Sequence, residues 1–357
     1  SPDPFPPRRP VPYGAGRCAC ADGVASVTMS TPGLPLRRGD LGPAVRDLHR
    51  RLAVSGVGDI GDPGVYDDAT EAAVHEFQRR RQLVVDGICG PQTWAALVEA
   101  DYRLGDRMIY LRSPMTRGDD VTELQRRLGS LGFDAGWVDG IFGPDTESAV
   151  RDFQQNQGLA TDGVVGRETV DALLRVSGRV NDDRTVAAVK EVEGLRGAPG
   201  VEGRRLVIGE SGGVPTVVDN LARRLRLDGA EVLSLHHPDL SSQARAANEW
   251  DGAVFVGVTL ADDDFSVAYF KTDGFESTGG RLLAGRCANS LQRVIFSPLS
   301  VVGLRLPILR ETRMPAVWCR IGPAATVVER AAAVTDALRT AVTDWCVDPL
   351  EGQSSTP

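Results

Sequence analysis

The sequence predicts a multidomain protein: two small all-α modules of three helices each, followed by a larger α/β domain. Three observations carry that expectation. A glycine-rich turn that hands over to an amphipathic helix recurs along the first half of the chain. That half superimposes on itself at a fixed offset. Beyond residue 203, short apolar strands begin to alternate with helical patterns.

The turn is clearest in VDGIFGPDTESAVRDFQ, residues 138–154. Gly140 and Gly143 permit backbone angles that a side chain forbids, and Pro144 suits a first helical turn, where its missing donor costs nothing. Asp145 and Glu147 then sit at the positive end of the helix dipole, and Ala149, Val150 and Phe153 form one apolar face. Related copies read VDGICGPQT at 85–93, TDGVVGRET at 161–169 and, degraded, GDPGVYDDAT at 61–70. A shift of 76 residues lays 45–97 over 121–173 without a gap. In that overlay 20 of 53 positions are identical, which marks a tandem duplication. The first module uses Val45, Leu48 and Leu52, then Ala73, Val74 and Phe77, then Trp94 and Leu97. The second uses Val121, Leu124, Leu128 and Leu131, then Val150 and Phe153, then Val170, Leu173 and Leu174. Between them the connector carries Met108, Ile109, Tyr110 and Leu111, so the modules are expected to pack together.

After a polar linker in which Val186, Ala187 and Val189 suggest a short helix, the reading changes. Residues 206–208, 232–235, 252–260, 265–270 and 316–321 read as strands. Val217, Val218, Leu221 and Leu225 mark a helix, as does 282–295. A last helix is expected to keep Val327, Ala331, Val334, Leu338, Ala341 and Trp345 on one face. The divisions are therefore 1–35 and 347–357 as disordered tails (with Met29 a candidate true start), 36–100 and 115–176 as modules, 101–114 as connector, 177–203 as linker and 204–346 as the α/β domain.

Composition narrows the function. A formal charge of -8 argues against a nucleic-acid partner, and the basic clusters Arg79 to Arg81 and Arg223, Arg224 and Arg226 read as solvated helix faces. Cys18, Cys20, Cys89, Cys287, Cys319 and Cys346 show no repeated spacing, and several lie in apolar stretches. Buried thiols in a reducing compartment fit that pattern. No run is long and apolar enough for a transmembrane segment, and the Pro-rich start has no export-type apolar core, so a cytoplasmic protein is expected, membrane-associated only through partners.

Both modules resemble the peptidoglycan-binding domain 1 family, whose pattern runs RGDxGxxVxxLQxxL, VDGIFGPxTxxAVxxFQ and LxxDGVVGPxTxxAL. The second copy follows it closely; the first departs at His49, where the pattern has Gln, and at 61–67. The resemblance implies three-helix modules that hold cell-wall glycopeptide in a shallow groove. Trp137, Asp139, Phe142, Gln154 and Asp162 are the candidate ligand-binding residues, Phe142 being also a candidate for the core.

The stretch GLRLPILRETRMPAVWCRIG, residues 303–322, is similar to the closing segment of zinc-dependent N-acetylmuramoyl-L-alanine amidases of the type 3 family. Such an enzyme needs three protein ligands for zinc, an open position for an acidified water, and a carboxylate to move its proton. The resemblance places the first histidine in a DPGHGG-like loop, but 208–213 reads IGESGG. The glutamate ligand falls near Val214, the second histidine at Val258 or Thr259, and the catalytic glutamate at Arg320, which cannot accept a proton. No catalytic residue, metal ligand or cofactor is therefore expected. Zinc enters only if the domain is instead a working amidase that cleaves the bond between the muramyl lactyl group and L-alanine. His236 and His237 read as a polar strand end and Asp262 to Asp264 as a solvated turn. A third reading, a serine hydrolase, rests on Gly209-Glu210-Ser211-Gly212-Gly213 matching GxSxG. What the resemblance implies is a pseudoenzyme that binds peptidoglycan or its lipid-linked precursor and regulates precursor synthesis through contact with a cell-wall synthesis protein.

Overall fold

A computed structural model describes residues 33–58, 61–178, 186–196, 200–262 and 264–350. Cys18, Cys20, Met29, Asp263 and most of both expected tails lie outside these residues. The first module contains α1 (Pro43–Val54), α2 (Asp68–Arg80) and α3 (Pro91–Glu99); the second contains α4 (Asp119–Ser130), α5 (Pro144–Asn156) and α6 (Arg167–Ser177). Proline opens α1, α3 and α5, each directly after a glycine, and Asp67 caps α2 by accepting from the Thr70 N–H at 2.8 Å. Each module closes on its own core: Leu48, Leu52, Phe77 and Leu97 in the first, Leu124, Leu128, Phe142 and Phe153 in the second. Short antiparallel bridges duplicate as well, Leu36 with Cys89 and Leu41 with Val65, Ile109 with Val165 and Arg117 with Ile141. The connector's Ile109 is thus part of the second core, whereas Met108, Tyr110 and Leu111 are exposed.

The linker helix α7 (Val186–Arg196) leads to a mixed sheet of β1 (Arg205–Glu210), β2 (Glu231–His236), β3 (Val254–Leu260), β4 (Ser266–Thr272), β5 (Phe275–Glu276), β6 (Ser300–Leu304) and β7 (Ala316–Ile321). The order is β2-β1-β3-β7-β4, with β5 and β6 both pairing with β4; β4 runs antiparallel to β7, and the strands from β2 to β7 are parallel. Alternation sorts the side chains. Leu206, Ile208, Val254, Val256, Val258, Val317, Cys319 and Ile321 face α8 (Pro215–Leu227), α10 (Thr278–Ile295) and α13 (Ala331–Val347). Val207, Phe255, Ala316 and Trp318 face α9 (Leu240–Glu249) and α11 (Pro307–Glu311). The same second face also receives Val138 from the second module and Ala187 from α7.

The expected last helix is two: α12 (Ala324–Glu329) ends before α13, and Arg330 leaves helical angles at φ -108°, ψ 20° with its guanidinium over the Phe296 ring. Val327 and Val334 lie seven residues apart, so the apolar spacing runs across the step unchanged. Order also extends past 346, where Pro349 is buried and Leu350 packs on the core. At Gly257 a Cβ would overlap the Trp318 ring. Gly257→Ala is therefore expected to lower the unfolding free energy by about 2 kcal/mol or more in a denaturant titration, and an unchanged midpoint would mean that the Trp318 side of the sheet has room.

Polar contacts join the modules to the α/β domain. Arg81 pairs with Asp119 across the two modules, at 3.0 and 2.5 Å, so it is not the solvated residue the sequence suggested; Arg79 and Arg80 are exposed. Glu99 at the end of α3 is buried between Arg310, at 2.8 Å, and Arg305, at 3.2 Å. Arg310 also donates through Nε to the Asp139 carbonyl in the second module, at 2.6 Å. One side chain on α11 thereby touches both modules.

Candidate functional site

The recurring turn owes its shape to one buried amide. Gln154 Nε2 donates to Asp162 Oδ1 (2.9 Å), to the Val164 carbonyl (3.0 Å) and to Thr169 Oγ1 (3.2 Å), while its Oε1 accepts from the Gly163 N–H (2.9 Å). Gln125 does the same for Asp139, Ile141, Thr146 and Gly140, and Gln78 for Asp86, Ile88, Thr93 and Gly87. In the degraded turn His49 stands in, 2.9 Å from Thr70 Oγ1. A Gln that accepts from a backbone N–H and donates to a backbone carbonyl satisfies groups that helix ends otherwise leave open.

The structure places the five candidate ligand residues apart, with only Trp137 and Asp139 on the wall of a large cleft. Gln154 is 1 % exposed, with its amide spent inside the turn, and Phe142 is in the core. Asp139 is held in the Gln125 clamp, and burial pushes its carboxyl up against the opposing pull of the Gln125 amide. Asp162 is exposed, and the Val164 N–H and then the Gln154 amide hold its carboxyl below the ordinary range. Trp137 stacks on Phe270 of β4 (5.7 Å, 13°) and leans on Phe275 (5.5 Å), so it joins two domains instead of standing free on a module. These five residues do not line one open groove.

At the C-terminal ends of β1, β3 and β7 the sheet brings together the residues that the amidase resemblance singled out. Ser211 Oγ and Thr259 Oγ1 lie 3.1 Å apart, and Thr259 is in register with Arg320, whose guanidinium reaches Asp264 at 3.4 Å. Alternation decides between the two positions that could match the second histidine: Val258 points into the α8, α10 and α13 core, and Thr259 faces Ser211. Val214 also packs in that core and not toward Ser211. Two hydroxyls and a guanidinium do not fit a zinc ion, which takes imidazole, thiolate or carboxylate. Among the described residues no group of three or more His, Cys, Asp or Glu is placed to hold a metal ion. The serine-hydrolase reading also fails on geometry. His236 lies between Glu210 (Nδ1, 3.2 Å) and Asp219 (Nε2, 3.0 Å), and His237 Nδ1 accepts from the Asp239 N–H, leaving Ser211 with a threonine as its partner.

The large cavity lies at the other end of the sheet. A cleft of about 1450 Å³ is walled by the second module from Ser113 to Thr146, by α7, and by the segments that enter β1, β3 and β7. Two α7 side chains hold it in shape: Lys190 pairs with Asp134 of the second module, and Glu191 accepts from Ser277 Oγ (2.5 Å), Thr278 N–H (2.9 Å) and Gly279 N–H (3.2 Å) at the start of α10. Burial pushes the Glu191 carboxyl up, against those three donors.

Residues 42–97 and 117–173 match the peptidoglycan binding domain family PG_binding_1. The N-acetylmuramoyl-L-alanine amidase CwlM of Mycobacterium tuberculosis is 32% identical over 354 residues, covering 87% of this chain and 87% of its own length. The chain belongs to the CwlM family. The N-acetylmuramoyl-L-alanine amidase CwlL of Bacillus licheniformis is 32% identical over 166 residues, 40% of this chain and 46% of CwlL. The crystal structure of the amidase Ami1 from Mycobacterium smegmatis is 12% identical, with a TM-score of 0.35, over 41% of this chain and 98% of that one. For a CwlM-family chain the clamps give the repeated Gln, Asp and Thr a folding role in each module. Gln125 belongs to the same clamp set, although no aromatic anchor precedes it as Phe77 precedes Gln78 and Phe153 precedes Gln154. The cleft residues on α7, α9 and the segment before β7 leave no sequence signal, because they are far apart in the chain.

Proposed function

We propose that this chain is a recognition protein of cell-wall synthesis that binds peptidoglycan or its lipid-linked precursor and does not hydrolyse it. The two matched peptidoglycan binding domains carry the binding half of this reading. The other half rests on Arg320, Ser211 and Thr259 standing where a working amidase would need a proton acceptor and metal ligands. With a guanidinium in place of the proton acceptor and no ligand set to hold a metal and activate water, attack on the muramyl amide has no base to drive it. The protein then acts by holding its ligand and a partner enzyme of wall synthesis. Four cysteines among the described residues are buried free thiols, which favours a cytoplasmic setting. Among the same residues no helix is long and apolar enough to cross a membrane.

The reading that the chain is a working amidase draws on the name of its M. tuberculosis relative. Co-sedimentation of the full chain with purified sacculi, with zinc content and peptide release measured on the same preparation, separates the two. Binding, with zinc far below one per chain and no released peptide, is the expected result. Release abolished by a chelator would refute inactivity, and failure to sediment would refute binding.

A further inference from the structure

We propose that the composite cleft at the N-terminal ends of β1, β3 and β7, and not the pocket at their C-terminal ends, binds the carboxylate-bearing peptide stem of a cell-wall glycopeptide. This rests on the recognition reading above and deepens it by locating the site. The first observation is architectural. The turn of the second module that carries Trp137 is docked against β4, so on that side the module presents itself to a ligand as one wall of the cleft. The second is size. About 1450 Å³ exceeds the several hundred that a small metabolite fills and suits a sugar with an attached peptide.

The third observation is the pattern of unspent charge. Arg245 and Arg313 both line the cleft and are exposed. Arg313 has no side-chain acceptor among the described residues, and Arg245 donates only to Ser242 Oγ, at 3.2 Å. Asn248 ties the two segments together: it lies one helical turn after Arg245 on α9, and its Oδ1 accepts from the Arg313 backbone N–H at 2.9 Å. Two guanidiniums on one wall of a cleft can each take a carboxylate. On the module wall Asp145 is exposed near the Lys190 ammonium, which is itself paired with Asp134, so an anionic spot remains there for an amino group. Both signs unspent in one cleft match an amphoteric peptide stem and mismatch a nucleic acid, which would call for one sign throughout. The C-terminal pocket offers a single guanidinium already on Asp264 and two hydroxyls already on each other.

The test uses the full chain and a soluble disaccharide-pentapeptide containing a diamino acid, titrated by calorimetry, beside the same compound with its carboxyls amidated. Arg245→Glu with Arg313→Glu is expected to weaken binding of the free acid by about tenfold or more, to leave the amidated compound's weaker binding unchanged, and to leave thermal unfolding unchanged because both side chains are exposed. Arg320→Ala is expected to bind as the parent does. Equal affinity of the double variant, or loss confined to Arg320→Ala, overturns the cleft assignment while the recognition reading stands. Sedimentation with sacculi without binding of the soluble compound also overturns the assignment, and absence of both overturns the reading on which it rests.

Discussion

Replacing Arg310 by methionine is expected to lower the unfolding free energy by about 3 kcal/mol, because it breaks a buried hydrogen-bonded charge cluster. Arg310 is buried, and it alone bonds both to Glu99 of the first module and to the Asp139 carbonyl of the second. Its removal leaves the Glu99 carboxylate with Arg305 at 3.2 Å and a carbonyl without its donor. The triad is a poor stabiliser in its own right, because Arg305 Nε and Arg310 Nη2 are buried without acceptors. It is nevertheless costly to break, since losing Arg310 takes one of two charged donors from the buried Glu99 carboxylate and the guanidinium donor from the Asp139 carbonyl at once. Burial pushes the Glu99 carboxyl up, but Arg310 and then Arg305 outweigh it and hold it below its ordinary value of 4.5. A carboxyl depressed by folding contributes stability above its unfolded pKa and loses it as pH falls through the folded one. The gap in stability between the parent and Glu99→Gln should therefore be widest near neutrality and narrow below pH 4.5. Chemical denaturation of both variants across pH measures this. A loss under about 1 kcal/mol for Arg310→Met would mean that the domains are held by their apolar contacts and their other polar pairs, such as Arg117 with Glu311.

Gln154→Ala is the second large effect, expected at about 2–4 kcal/mol. The substitution strands the buried Gly163 N–H and removes donors from the Val164 carbonyl and Thr169 Oγ1 together. Asp162 is exposed, so water replaces its lost bond and adds little. This prediction separates a clamping role for Gln154 from a ligand-binding one. As a turn clamp its loss lowers the unfolding midpoint whether or not ligand is present. If the midpoint held and only affinity for sacculi fell, Gln154 would be a ligand residue after all. In the other clamp of the second module, Gln125→His should lose less than Gln125→Ala, since His49 already serves the equivalent place in the first module.

Much of the fold is legible in the sequence because its determinants are local. The 76-residue duplication, the Gly-Pro entries to α1, α3 and α5, and the period-two apolar runs of β1, β3 and β7 each depend on residues a few positions apart. Short β5 and β6, and α9 with its small apolar face, give no clear pattern, and the apolar spacing that suggests one final helix continues through Arg330, which makes two. The residues at the C-terminal ends of β1 and β7 are also legible, since Arg320 and the IGESGG loop stand at fixed places in recognisable strands. Long-range placement is not. Trp137 and Asp139 read as surface residues of a module, yet β4 and α11 pack against them and leave them half-buried on the wall of the cleft, and Arg245, Arg313 and Lys190 carry no pattern that points to a shared cleft.

By itself, then, the chain's order of residues determined three short helices per module, an alternating sheet, and the chemistry available at the ends of its strands, because backbone angles and apolar periodicity are set by near neighbours. Only the tertiary structure decided which face of each module is spent on docking, that Glu99 and Arg310 meet across 211 positions, and where an open cleft remains. Those outcomes depend on side chains that are distant along the chain competing to bury the same surface.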